Sequence, residues 1–186
     1  LITLAKHLGD TVNDVALNPR KSKKKYTDKK NQKFKLTLVN KCHKAIPDRI
    51  REYLHARGLT DAIINDYKLG WGEFYGKWWI TIPIKDKDGN FVFLKLRRDP
   101  NSKDEDGKYR FYPTGSESTI YGWDMFRGND DMIVICEGEF DSILLSNIGV
   151  PTITSTAGAG TFKEEWVEYL TKLRKVYICF DKDEAG

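Results

Sequence analysis

The sequence predicts an α/β protein: an α+β N-terminal part built around antiparallel hairpins, then a β-α-β-α-β unit with a parallel sheet. Three observations carry this. Asp131-Met-Ile-Val-Ile-Cys136 and Val176-Tyr-Ile-Cys-Phe180 are short apolar runs rich in β-branched and aromatic residues, which reads as two buried strands. Between them lie a helical pattern over residues 141–147, a third strand-like run over 150–155, a Gly-containing turn and a helical pattern over 162–174, so strand and helix alternate. Upstream, Lys77-Trp-Trp-Ile-Thr-Ile-Pro-Ile84 alternates like a strand, turns at Lys87-Asp88-Gly89-Asn90 and returns as Phe91-Val-Phe-Leu-Lys-Leu-Arg-Arg98, a β-hairpin.

In chain order, residues 1–8 carry Leu1, Leu4, Ala5 and Leu8 at helical spacing, with Gly9 as a C-cap. The stretch 19–35 has nine basic residues against one Asp and is expected to form a flexible basic linker, able to contact phosphates. Residues 47–57 read as a helix, with Pro47 at its start, Ile50, Tyr53 and Leu54 on one face and Gly58 closing it. Thr60 caps a second helix through residue 67, turning Ile63 and Ile64 inward, and His55 is expected on the exposed side. In the hairpin's second strand Lys95 and Arg97 share a face with Phe91 and Phe93, a basic and aromatic mixture suited to a nucleic-acid groove. The expected division is residues 1–45, a short helix and linker; 46–128, the hairpin part; and 129–186, the parallel-sheet part.

Net charge is +4 over 186 residues, and the five Trp supply material for a core. Cys136 and Cys179 fall in the strand-like runs and Cys42 stands apart, so no disulfide framework is expected and a reducing, cytoplasmic setting fits. Cys42-His43 has no partners at zinc-finger spacing, so zinc is not expected in this chain. No apolar run reaches membrane-spanning length, and no membrane partner is expected.

Both strand-like runs end abruptly in carboxylates, at Glu137-Gly138-Glu139-Phe140-Asp141 and at Asp181-Lys182-Asp183. Parallel strands put all their carboxyl ends on one edge, where ligands bind, so Glu137, Asp181 and Asp183 should converge. Asp141, one helical turn beyond Glu137, would support them, and Glu139 is expected to point elsewhere. Such a cluster repels itself, and hard divalent cations with oxygen ligands, Mg2+ first among them, relieve it. Asp-x-Asp by itself is a weak signal: Asp86-Lys87-Asp88 and Asp104-Glu105-Asp106 precede Gly89 and Gly107 and read as turns. The run Thr156-Ala-Gly158-Ala-Gly160-Thr161 lacks the Gly-Lys-Ser/Thr ending of a phosphate loop and is assigned to structure.

Glu137-Gly138-x-x-Asp141 and Asp181-x-Asp183-x-Ala185-Gly186, each after a strand, resemble the first two motifs of the TOPRIM domain, shared by DnaG-like primases, topoisomerases and some nucleases. Further matches run upstream in the same order. Tyr53-Leu-His-Ala-Arg57-Gly58-Leu59-Thr60, with Ile64, Tyr67, Leu69 and Gly70 after it, resembles the start of the bacterial-type primase core, in its RNA-polymerase-basal subdomain. The hairpin is similar to that family's and points to Arg97; Gly107-Lys108-Tyr109-Arg110-Phe111-Tyr112-Pro113 resembles its Lys-Tyr-x-x-x-Pro segment, with Lys108 in the basic position. Tyr121-Gly122 resembles the step into TOPRIM, so the resemblance spans about residues 46–186. The chain departs from the family where glycines beside Arg97 are replaced by Lys95 and Leu96.

The resemblance implies a DNA primase of bacterial, phage or plasmid type that makes RNA primers from ribonucleoside triphosphates on single-stranded DNA, using Mg2+ or Mn2+. Its implied ligands are Glu137, Asp181 and Asp183; its catalytic set is these with Asp141. Lys95, Arg97, Lys108 and Arg110 would hold template or triphosphate, and a replicative helicase is an implied partner. Two alternatives stand beside this: a TOPRIM nuclease, and a nucleic-acid-binding module whose acidic site has decayed. The chain opens on Leu1 and stops where a helix should follow Gly186, so it is expected to be a piece of a longer protein. A third acidic motif is then expected beyond residue 186, and the piece should be inactive alone.

Overall fold

The computed structural model describes residues 29–103, 107–127 and 131–181. The expected helix at 1–8, the Asp104-Glu105-Asp106 turn and Asp183 therefore lie outside the described residues. Three helices lead, α1 (Lys29–Lys44), α2 (Asp48–Ala56) and α3 (Asp61–Asp66). An antiparallel sheet follows, β1 (Gly70–Phe74), β2 (Lys77–Lys85), β3 (Phe91–Arg98) and β4 (Tyr109–Tyr112), paired in that order. Then come β5 (Ile120–Tyr121), β6 (Met132–Cys136), α4 (Glu139–Asn147), β7 (Thr152–Ser155), α5 (Val167–Leu170) and β8 (Lys175–Cys179). This second sheet has the order β5-β7-β6-β8; β6 runs parallel to both β7 and β8, as expected, and β5 adds an antiparallel edge.

The first sheet is covered on both faces. Ile80, Ile82, Ile84 and Phe93 pack with Ile50 and Leu54 of α2, Ile63 and Ile64 of α3, and Phe140 and Ile143 of α4. On the opposite face Trp79, Leu94 and Leu96 pack with Phe74 and with Val39 and Cys42 of α1. Helix α4 is thus shared: it lies against β7 of its own sheet and sends Phe140 and Ile143 into the core of the first. Thr60 accepts a hydrogen bond from the Ile63 amide at 3.4 Å, capping α3 as its sequence suggests. Asp86 binds the amides of Asp88 and Asn90 at 3.0 and 2.9 Å, so that Asp-x-Asp is turn chemistry.

Three expectations are corrected. The linker is helical from Lys29 onward, because Leu38, Val39 and Cys42 fall on one side of a helix and find an apolar sheet face to cover. The helix expected over 162–174 shrinks to a 3₁₀ turn at Glu164–Trp166 and the single turn of α5. There the Thr171 hydroxyl donates to the Glu168 carbonyl at 3.0 Å, a local bond that competes with helix propagation. Finally, β8 is not a buried strand: Tyr177 and Ile178 are 47% and 46% exposed and Cys179 is exposed with them. Its one described neighbour is β6, so the apolar run makes an edge.

Candidate active site

In the parallel pairing of β6 with β8, Cys136 lies opposite Cys179, so both strands finish at the same level and Glu137 meets Asp181. The Asp181 amide donates to Oε2 of Glu137 at 3.0 Å, and the Thr154 hydroxyl of β7 donates to the Glu137 carbonyl at 3.1 Å. One contact holds the Glu137 carboxylate and the other its backbone at the sheet edge. Asp141, in the first turn of α4, turns its carboxylate over Gly138, where an added Cβ would stand 3.1 Å from Oδ2. Glu137, Asp141 and Asp181 all face one cleft of about 460 Å³, together with the Thr156–Gly158 turn.

The opposite wall comes from the first sheet and α2. It carries Lys95 and Arg97 of β3, Lys108, Tyr109 and Arg110 at β4, and Arg57 just past α2. Lys108 and Arg110 are exposed, with guanidinium or ammonium groups 5.5 Å from Tyr109 and 5.1 Å from Tyr75 ring centres respectively. Arg97 is buried, donating to the hydroxyls of Tyr109 and, at 3.0 Å, Tyr53, with its guanidinium 4.9 Å from the Phe140 ring centre. Burial pushes the Tyr109 hydroxyl above its ordinary pKa, against the pull of Arg97.

Lys95 is placed differently from a free phosphate ligand. Its Nζ lies 2.7 Å from each carboxylate oxygen of Glu139, and the two side chains are 6% and 1% exposed. Burial raises the Glu139 pKa above the usual carboxylate range, and Lys95 and Arg97 pull it back. Glu139, expected to point elsewhere, is engaged by Lys95 and lines the same cleft as Glu137 and Asp181. Sequence reasoning missed Glu139, Tyr53 and Arg57 as parts of this site. The Lys95–Glu139 pair joins residues 44 apart and leaves no periodic trace, whereas Arg49, Tyr53 and Arg57 at four-residue spacing do mark one face of a helix.

The carboxylates supply oxygen donors alone, the chemistry a hard divalent cation takes. Among the described residues no three His, Cys, Asp or Glu side chains lie close enough to hold a metal ion; Asp183 falls outside them. Glu137, Asp181 and Asp141 fit such an ion by donor type and line one cleft, without standing close enough together to hold it as a set of three.

Residues 134–186 match the family described as Toprim-like. An uncharacterised protein of Mycoplasma genitalium is 31% identical over 144 residues, covering 74% of this chain and 64% of that one. A DNA primase of Thermotoga maritima is 29% identical over 114 residues, covering 58% of this chain and 20% of that one. The chain thus spans less than two thirds of the length of either relative. A solved DnaG primase catalytic domain bound to single-stranded DNA superposes with a TM-score of 0.62 at 19% identity, over 83% of this chain and 64% of that one. The chain thus has the fold of a solved DnaG primase catalytic domain, is similar in sequence to DNA primases, and matches the Toprim-like family over residues 134–186.

Proposed function

We propose that the protein synthesises RNA primers on single-stranded DNA, joining ribonucleotides with loss of pyrophosphate. The observation that carries this reading is the cleft itself: carboxylates at the ends of β6 and β8 face the cations of β3 and β4 across one opening. A DNA-primase relative and the single-stranded DNA held by a neighbour of the same fold support it. In the reaction a 3′-hydroxyl oxygen bonds to the α-phosphorus of the incoming nucleotide, the bond to the bridging oxygen breaks, and pyrophosphate leaves. Divalent ions, when bound, supply charge neutralisation at the attacking and leaving oxygens. Glu137, Asp181 and Asp183 would hold them, with Asp141 as support and Glu137 as ligand or proton acceptor. The amide of Asp181 and the hydroxyl of Thr154 keep Glu137 in place between turnovers.

On the facing wall, Lys108 and Arg110 reach solvent and are suited to meet triphosphate or template first. Arg97 is held by Tyr53 and Tyr109 and presents a pre-oriented guanidinium to the developing charge. Ribonucleoside triphosphates and a replicative helicase complete the proposed partners. The nuclease and decayed-module alternatives have no observation of their own in their favour. The test is template-directed primer synthesis by the protein with its natural flanking sequence, in Mg2+ or Mn2+. Glu137→Gln or Asp181→Asn is expected to lower kcat by about 10²- to 10³-fold, several kcal/mol of charge stabilisation. Wild-type rates in either variant would place the chemistry elsewhere.

A further inference from the structure

The first turn of α4 touches the first sheet at two side chains in succession. Glu139 binds Lys95 through both carboxylate oxygens, at 2.7 Å each, and Phe140 lies under Arg97, 4.9 Å from its guanidinium, and under Arg57 at 5.5 Å. Both contacts land on alternate residues of one strand, β3, and both come from the turn that begins two residues after Glu137. Lys95 Nζ also lies 4.3 Å from the centre of the Tyr109 ring, whose hydroxyl holds Arg97. Lys95 and Glu139 line the cleft, yet their side chains are only 6% and 1% exposed and are turned to each other.

We infer that Glu139 is a positioning residue: with Lys95 it forms a buried clasp that fixes the Toprim-like sheet edge against the cationic wall, and Lys95 serves as that tie rather than as a phosphate ligand. The inference deepens the proposed function and rests on it. A clasp has a signature that a phosphate ligand lacks. Losing either partner strands a buried charge and loosens the same joint, so the two single variants share one phenotype, and losing both together costs less than the sum. A ligand instead gives unequal effects: Lys95 loss weakens nucleotide binding, whereas Glu139 loss frees the lysine and strengthens it.

The experiment uses Lys95→Met, Glu139→Met and the double variant in the protein with its natural flanks. Three readings are taken: thermal unfolding, equilibrium binding of a slowly hydrolysed ATP analogue, and KM and kcat for primer synthesis. The clasp predicts that both single variants melt lower and lose about tenfold in kcat, with analogue Kd and nucleotide KM within twofold of wild type. It predicts that the double variant, whose methionines fill the space without charge, recovers most of both losses. A tenfold rise in Kd or KM for Lys95→Met but not for Glu139→Met overturns the clasp, as does a double variant whose melting loss equals the sum of the singles. Should the wild-type protein make no primers, the proposed function falls, while the melting cycle and analogue Kd still judge the clasp.

Discussion

Gly138 sits between Glu137 and the first turn of α4, and its extended backbone would accept any residue (φ −134°, ψ 166°). What restricts it is space, since a Cβ there would press within 3.1 Å of the Asp141 carboxylate. Gly138→Ala is therefore expected to leave the melting temperature within about 2 °C, a shift of well under 1 kcal/mol, while displacing Asp141 and lowering kcat about tenfold. Unchanged kcat would mean that Asp141 is not used. The cysteines divide by burial: Cys136 is pushed up to about 12, first by burial and then by Cys179 and Asp141, and Cys42 is raised mainly by burial. Native alkylation at pH 7.5, followed by mass spectrometry, should label exposed Cys179 and spare the other two. At the rim, Arg49 binds both oxygens of Asp99 at 2.9 and 2.7 Å and holds its carboxyl below the usual range. The unfolded chain binds that proton more readily, so the contribution is present above the unfolded pKa of about 3.9 and is lost as pH falls through the lower folded value. Asp99→Asn should cost below about 1 kcal/mol at neutral pH in urea unfolding, because Arg49 is nearly half exposed, and the difference from wild type should close in acid.

Helix α1 shows how tertiary contact decides what composition leaves open. Its Cys42 comes so near β1 that a Cβ on Gly70 would stand 2.8 Å from the Cys42 carbonyl carbon and 2.5 Å from Thr81 Oγ1. Backbone must then move, so Gly70→Ala is expected to destabilise by about 1–3 kcal/mol, in the range of overpacked cores. It should also loosen α1 from Trp79 and change the tryptophan emission; a wild-type denaturation midpoint would refute this packing. The same helix marks the limit of what the sequence made legible. Patterns with a clean period, such as Ile80-x-Ile82-x-Ile84 or Ile50 with Leu54, were readable because both ends of each contact lie within one element. The parallel edge bearing Glu137 and Asp181 was readable because strand polarity alone brings those ends together. The cover that α1 gives the sheet and the one-turn length of α5 were not, since each depends on surfaces supplied by distant residues. Lys95 read as a groove cation for the same reason: its partner lies on helix α4, 44 residues away.

At the scale of the whole molecule, charge is sorted into two walls of one cleft. Glu137, Asp141 and Asp181 line one side, Arg57, Arg97, Lys108 and Arg110 the other, and Lys95 with Glu139 cancels at the joint. A single strand threading this cleft would lay phosphates along the cationic wall, and each phosphate contact releases counterions. The logarithm of the binding constant should then fall with the logarithm of salt concentration, with a slope of about −0.7 per contact on single strands. Lys108 and Arg110 reach solvent and contribute directly, so Lys108→Ala and Arg110→Ala should each flatten the slope by about one contact. Lys95→Met should leave the slope unchanged, because its charge is already spent on Glu139. The lysines and the one arginine of residues 19–35 offer a second source of phosphate contacts, so the titration is run with and without residues 1–28, the portion preceding α1. Fluorescence titration of labelled single-stranded DNA from 50 to 300 mM salt supplies every slope. A slope that survives the loss of Lys108 and Arg110 but collapses without residues 1–28 would move the DNA contact from the cleft to the basic segment. A binding constant indifferent to salt would remove the electrostatic account of the cleft altogether.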